Sequence, residues 1–179
     1  TDPPPTNLPL AGWMGEAPWA VEPPVPRAYP IIAPNMDLTK WRLAQEAAPE
    51  TSCLRAALSG DPWPDHQLPP KKVKAFVRLL QKGAYVQEGL LWHRDQYVPS
   101  NRPRLVVPSL SQLPPDQDPK EWLWVDHHMN LGHRGITSIL PKIEEQVAWP
   151  GAAPWLRKRR KDCPECLIEE ARAPGHGLH

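Results

Sequence analysis

Four residues near the end of the chain have the side chains and the spacing of a metal site. His128 and His133 bracket a Met-Asn-Leu-Gly stretch, and Cys163 and Cys166 follow as a Cys-Pro-Glu-Cys pair. Neutral imidazole nitrogens and thiolates are the ligands of a closed, tetrahedral zinc site. Four protein ligands leave no coordination position for a substrate or a reactive water. The set therefore predicts one structural Zn²⁺ per chain.

His127 competes with His128 for the first position in this ligand set. Adjacent side chains on a helix diverge by about 100°, so only one of the two imidazoles can face the metal. Gly132 permits a tight turn that would bring His133 back to the first imidazole. The sequence favours His128 and leaves His127 as the alternative.

Two other uses of the thiols compete with this interpretation. A redox Cys-x-x-Cys pair would need lowered thiol pKa values, and basic residues do precede Cys163, but the βαβ pattern of such enzymes is missing. A different zinc set would join Cys163 and Cys166 to His176 and His179. Its intervals are shorter than those of an ordinary zinc finger, and the nearby glycines and proline disfavour the finger's helix.

The composition limits the class of protein and its compartment. With 21 basic and 20 acidic side chains, the chain has no global charge that would draw it to nucleic acid or to a membrane surface. Three cysteines, two of them in one Cys-x-x-Cys pair, favour a reducing, intracellular location in the nucleus or the cytoplasm, with Cys53 as a buried and inert thiol. No apolar run approaches the ~20 residues of a membrane span. Because it begins at Thr1, the chain resembles a piece of a longer polypeptide.

Two groups of basic residues could give a local electrostatic footprint. The denser one consists of Arg157, Lys158, Arg159, Arg160 and Lys161. Contacts with the phosphates of DNA or RNA, a nuclear-import signal and a merely solvated helix all remain open for it, and three glutamates soon afterwards reduce its potential. The other group is Lys71, Lys72, Lys74, Arg78 and Lys82. It lies opposite an apolar face on a predicted helix, and a solvated surface is the preferred interpretation.

Proline content and apolar periodicity divide the chain into five segments. They are a linker (1–37), a helical connector (38–70), a helix with a small sheet (71–115), a metal-binding domain (116–170) and a tail (171–179). The first segment is rich in proline and poor in charge, which predicts an extended spacer, with a polyproline ligand as the alternative. The second predicts two short helices, one ending before Pro49 and one at Gly60.

Local patterns predict the elements that would position the four candidate ligands. β-branched and aromatic residues predict antiparallel strands over 84–86, 90–93, 97–98 and 105–107. Asp118 and Pro119 predict a helix start before the histidines. An apolar stripe from Ile136 to Val147 predicts a helix packed over the metal, kinked or restarted at Pro141. The expected fold is mainly α with a small antiparallel β-sheet.

The order of these motifs resembles the His-His-Cys-Cys zinc-binding domain at the N-terminus of retroviral and Ty3/gypsy-like integrases. The matching features, over roughly 120–168, are His128, the Gly132-His133-Arg134-Gly135 turn, Thr137, the apolar helix, Trp149-Pro150-Gly151 and Cys163-x-x-Cys166. The strands before them look like the small sheet extension of such integrases. Residues 41–58 resemble the helical connector that follows the ribonuclease H region of their polyproteins.

The resemblance implies a three-helix bundle clamped by one zinc ion, acting in integrase assembly and in contacts with viral DNA ends. The family's catalytic carboxylates lie in a following core that this chain lacks, so no catalytic residue and no enzyme activity are expected. Pro141, Glu169 and Glu170 depart from the family pattern and weigh against DNA binding more than against metal binding. The composition looks like that of a retroelement-derived host protein, of the type that joins an NYN domain to a retroviral integrase region.

Two functions from different classes follow as expectations. The first is a non-enzymatic, zinc-stabilised module that binds DNA or RNA, or that associates with itself as a homo-oligomer. The second is a protein-interaction scaffold with a purely structural zinc, whose Pro-rich or Trp-rich surface recruits a host protein. A thiol oxidoreductase is the least favoured alternative.

Overall fold

The computed structural model describes residues 36–95 and 102–173. These ranges hold seven α-helices, α1 to α7, over Leu38–Ala47, Pro49–Ser59, Pro70–Leu80, Pro119–Trp124, Ile136–Gln146, Ala152–Lys161 and Pro164–Arg172. They also hold four strands, β1 to β4, over Ala84–Gln87, Leu90–His93, Arg104–Val106 and Val147–Ala148. The protein is thus mainly helical with a small sheet. The predicted linker, apart from its last two residues, and the predicted strand 97–98 lie outside the described residues, as do His176 and His179.

The two predicted connector helices are confirmed, and their ends follow local chemistry. The Asp37 carboxylate accepts hydrogen bonds from the backbone N–H groups of Thr39 and Lys40 and so caps α1. Pro49 occupies the first position of α2, where a missing N–H costs nothing. Gly60 ends α2 with φ of 75°, a conformation that glycine adopts without steric penalty.

The four strands pair in the order β1-β2-β3-β4. A two-residue turn with positive φ at Glu88 and Gly89 joins β1 to β2 as an antiparallel hairpin. β2 pairs antiparallel with β3, whereas β4 pairs parallel with β3 through Leu105 opposite Val147. The prediction of a purely antiparallel sheet was therefore wrong, because α5 ends at Gln146 and Val147, the last residue of the predicted stripe, is extended and pairs with β3.

The sheet separates two apolar layers. Successive strand residues point to opposite faces, and all four residues of β2 are buried. One face packs against α2 and α3 through a cluster that includes Cys53, Phe76 and Leu91. The other packs against a larger cluster that runs from Trp41 in α1 to Cys166 in α7. Since β4 follows α5 directly, the sheet joins the predicted sheet segment to the predicted metal-binding segment.

The helix α5 passes through Pro141 without an interruption, so the predicted restart does not occur. Its buried side chains are Ile139 and Ile143, as the apolar stripe predicts. Pro141 and Thr137 are both exposed. The Thr137 carbonyl, which loses its helical donor to proline, can therefore bond to water.

Candidate metal centre

The first ligand histidine is positioned by a widening of the helix that follows α4. Asp118 caps α4 by accepting the backbone N–H of Lys120, and Pro119 stands at the first helical position, both as predicted. Residues Val125–Met129 then form a π-helical turn, in which the backbone N–H of Asn130 donates to the Val125 carbonyl at 2.9 Å. Such turns often occur at functional sites.

Contacts on both sides of the His128 ring fix its orientation and its tautomer. Nδ1 of His128 lies 2.8 Å from the carbonyl oxygen of Arg134. Because a carbonyl can only accept, the ring proton sits on Nδ1 and the lone pair of Nε2 is free for a metal. The indole of Trp124 stacks on the imidazole with ring centroids 3.9 Å apart and an interplanar angle of 19°.

The neighbouring His127 points elsewhere. Its Nδ1 lies 3.0 Å from the carbonyl oxygen of Leu123, one turn back along the helix. It does not belong to the group of metal-capable side chains that contains His128. Of the two alternatives left open by the sequence, the structure places His128 at the centre.

The second histidine is brought back by a turn that requires left-handed backbone. Gly132 has φ of 74° and His133 has φ of 56°, and the His133 backbone N–H donates to the His128 carbonyl at 2.7 Å. A positive φ at a non-glycine residue is uncommon and often accompanies function. The turn aims Nδ1 of His133 at Nε2 of His128, 3.2 Å away.

The two thiols come from the start of α7. Cys163 is the N-cap residue of this helix and Cys166 lies in its first turn. This arrangement places both sulfurs on the side that faces the histidines. Cys163 and Cys166 are 2% and 4% exposed and His128 is fully buried, whereas His133 is half-buried.

The distances between donor atoms fit a tetrahedral zinc ion. All four donors lie within 4.8 Å of one another. Cys163 Sγ is 3.4 Å from His133 Nδ1, and Cys166 Sγ is 3.3 Å from His128 Nε2 and 3.9 Å from His133 Nδ1. Zn–N bonds of about 2.0 Å and Zn–S bonds of about 2.3 Å imply edges of roughly 3.3 Å between nitrogens and roughly 3.6 Å between nitrogen and sulfur. The four distances between these donors lie close to those edges, so the group could hold a metal ion of this size.

Burial changes the pKa values of two of the four candidate ligands, His128 and Cys166. Desolvation lowers the pKa of His128, partly opposed by its hydrogen bond to Arg134, so the ring stays neutral near pH 7. Desolvation and the adjacent Cys163 raise the pKa of the Cys166 thiol. A bound cation would favour the thiolate form and so hold the two cysteines together.

The basic run on α6 divides into two sets. Arg159 bonds to the Glu121 carboxylate at 3.3 Å and lies over the Trp124 ring at 5.6 Å, next to the metal group. Arg160 pairs with Glu170 at 3.0 Å. The other three residues, Arg157, Lys158 and Lys161, are exposed and make no ion pair with any described residue. The run is thus not a uniform row of five free cations.

Sequence reasoning missed the residues that support the ligands. Trp124 precedes His128 by four positions, a helical spacing that could have suggested the stacking contact. The contact of the Arg134 carbonyl with His128 could not be predicted from the sequence, since every residue has a backbone carbonyl. Glu121 bonds to Arg159 on α6, an ion pair between two helices that no local pattern indicates.

No family model, curated protein or solved structure matches this chain. Within 36–95 and 102–173, no helix is long and apolar enough to cross a membrane.

Proposed function

We propose that this chain is a non-catalytic, zinc-stabilised module of the integrase N-terminal type, carried by a retroelement-derived host protein, which binds nucleic acid or associates with itself. The observation that carries the proposal is the ligand group itself. Its four donor atoms lie within 4.8 Å of one another, and its residues have the order of a His-His-Cys-Cys domain. Bound there, zinc would tie the turn after the π-helix to the start of α7.

The donor chemistry favours zinc over other metals. Magnesium and calcium prefer oxygen ligands, whereas two imidazoles with two thiolates in a tetrahedral arrangement suit Zn²⁺. His128 presents a neutral nitrogen through its bond to Arg134, as a zinc-bound histidine usually does through its second nitrogen.

A closed ligand set supports a structural role and not a catalytic one. Catalytic zinc keeps one coordination position for water or substrate, and this group supplies all four ligands from the protein. Both cysteines and His128 are also buried, which suits a structural site.

Nucleic-acid binding is supported by cations that no acidic group neutralises. On α6 these are Arg157, Lys158 and Lys161, all exposed. Phosphate contacts by such side chains give affinity that depends on salt but not on sequence.

A second candidate function is a protein-interaction scaffold, and two observations favour it. Arg159 and Arg160 are engaged within the protein, which weakens the case for DNA. Apolar side chains also remain exposed near the metal group, namely Met129, Leu131, Leu167 and Ile168. Exposed apolar patches often mark protein–protein contacts.

The metal content of the purified chain tests the proposal. We expect one zinc ion per wild-type chain by elemental mass spectrometry and none in Cys163→Ser, which loses a ligand. Cys53→Ser is the matched control, because Cys53 is equally buried but lies in the other apolar cluster. It should retain one zinc.

A well-folded wild-type chain without zinc would overturn the proposal. So would equal zinc content in the two serine variants, since that would place the metal elsewhere.

A further inference from the structure

One face of α3 carries a row of cations at intervals of three and four residues. Lys71, Lys74 and Arg78 are exposed, and Lys82 follows in the turn after the helix. At about 100° per residue the first three lie within a sector of roughly 60°, so they form a straight stripe along the helix. We call these four residues the α3 stripe.

Nothing in the described residues neutralises the α3 stripe. None of its members makes an ion pair, in contrast to Arg159 and Arg160 on α6. The sequence has no acidic residue between Asp65 and Glu88, and no acidic residue stands in the first turn of α3. The α3 stripe therefore has fewer acidic neighbours along the chain than the denser run on α6, which three glutamates follow.

The opposite face of α3 holds the stripe in place. Val73, Phe76, Val77 and Leu80 are buried at 4% exposure or less against α2 and the sheet. The helix cannot roll, so the cations are presented on a rigid support. The same burial leaves Leu79, at 64% exposure, as the one exposed large apolar side chain of α3, which is less than the apolar face that an interfacial helix requires. A nucleic acid is thus favoured over a membrane surface.

The length of the stripe suits a phosphate backbone. From Lys71 to Lys82 the chain advances by about 16 Å at 1.5 Å per residue. A duplex carries one phosphate per ~3.4 Å of axis on each strand, and because the strand winds around that axis, a straight stripe of this length faces roughly three phosphates of one strand. Side chains as long as lysine and arginine reach such positions without exact register.

We propose that the α3 stripe is a binding site for the phosphate backbone of a nucleic-acid duplex, and that it contributes more affinity than the cations of α6. The inference rests on the proposed function and names the surface that performs it. Contacts of this kind carry no sequence information, so the site binds duplexes of different sequence alike.

The test compares two charge-neutralised variants of the full zinc-loaded chain. One is Lys71→Gln, Lys74→Gln, Arg78→Gln and Lys82→Gln together. The matched control is Arg157→Gln, Lys158→Gln and Lys161→Gln together. All seven positions are exposed and glutamine is a good helix former, so both variants should fold, which circular dichroism checks. Fluorescence anisotropy with a DNA duplex of about 20 base pairs measures affinity between roughly 50 and 200 mM salt.

We expect the α3 variant to lose at least about 50-fold in affinity at roughly 100 mM salt, and its slope of log K against log[salt] to become shallower by about 3. The control should lose less than about 10-fold. A larger loss in the α6 variant would overturn the inference and leave the proposed function standing. A wild type that binds anionic vesicles but no duplex would overturn both the inference and the nucleic-acid part of the proposed function.

Discussion

The choice between two adjacent histidines is decided by which backbone carbonyl the Nδ1 of each ring contacts. His128 uses Nδ1 on the carbonyl of Arg134, which lies beyond the turn, and so directs Nε2 at the two thiols and at His133. His127 uses Nδ1 on the carbonyl of Leu123, within its own helix. The same hydrogen bond made to different partners gives one ligand and one structural residue.

Replacement of each histidine by glutamine separates these two roles. His128→Gln removes a metal ligand, so zinc affinity should fall by more than about 100-fold, beyond the usual cost of losing only a supporting contact. His127→Gln keeps an amide that can donate to the Leu123 carbonyl and should change zinc affinity by less than about 10-fold. Competition with a chromophoric chelator measures both.

The opposite ranking would mean that the π-helical turn adopts another register when metal binds. Equal and large losses would instead indicate that the fold, and not the ligand, was damaged, which circular dichroism of each variant detects.

The four candidate ligands could be named from the sequence because their types and spacing are themselves the signal. The structure brings all four together. The selection of His128 over His127 depends on the turn that brings the Arg134 carbonyl to the His128 ring, and the engagement of Arg159 with Glu121 depends on the relative placement of α4 and α6. No local pattern records such a placement, so sequence reasoning left the first open and missed the second.

At the scale of elements, one glutamine connects α1 to the centre of the sheet. The β2–β3 ladder pairs Trp92 with Leu105, and the next pair in register would be Leu91 with Val106. The Gln45 amide stands between these two residues instead. Its Nε2 donates to both of their carbonyls, at 3.0 and 2.9 Å, and its Oε1 accepts from the Leu91 backbone N–H at 2.8 Å. The side chain thus replaces a missing rung of the ladder.

Removal of this amide should be costly despite the small change in volume. Gln45→Leu leaves one backbone donor and two acceptors buried without partners, and we expect a loss of about 2–4 kcal/mol in the free energy of unfolding. Leu43→Gln on the same helix is the control, since Leu43 is 58% exposed, and it should cost less than about 0.5 kcal/mol. Chemical denaturation measures both. A loss below about 1 kcal/mol for Gln45→Leu would show that water reaches the freed groups.

The elements with several consistent local signals were predicted well. The two connector helices, with α2 ended by Gly60, and the helix start at Asp118 and Pro119 are confirmed. The strand β4 was missed because two residues carry no periodicity, and its extended shape is stabilised by pairing with β3, 42 positions earlier in the chain at Leu105 and Val147. Gln45 was missed for a related reason, since a buried glutamine looks like a surface residue until its distant partners are known.

At the scale of the whole molecule, the metal group is continuous with the main apolar core. Cys163 and Cys166 belong to the cluster that also contains Trp41 from α1 and Trp92 and Leu105 from the sheet. Parallel pairing of β4 with β3 adds a backbone connection between the same regions. The centre therefore supports more than the helices that carry its ligands.

Removal of the metal should consequently destabilise the entire protein in one step. Without a cation, two thiols and two imidazoles would remain buried without adequate partners, and binding free energy of several kcal/mol would be lost. At about 2–4 °C per kcal/mol for a chain of this size, a chelator should lower the thermal midpoint by at least about 10 °C. Calorimetry should show one transition with and without chelator, and hydrogen exchange should accelerate in α2 and the β1–β2 hairpin as well as in α7.

A two-step thermal transition would instead show that the two sides of the sheet unfold separately. If the chelated protein melted in two steps, with α2, α3 and the β1–β2 hairpin still protected, the cluster around Cys53 and Phe76 would be able to fold by itself.

The reactivity of Cys53, which is fully buried in that cluster, provides a second measurement. In the variant Cys163→Ser with Cys166→Ser, its thiol should react with a thiol reagent faster than in the zinc-loaded chain if the core is shared. An unchanged rate would show that the metal stabilises only its own side of the sheet.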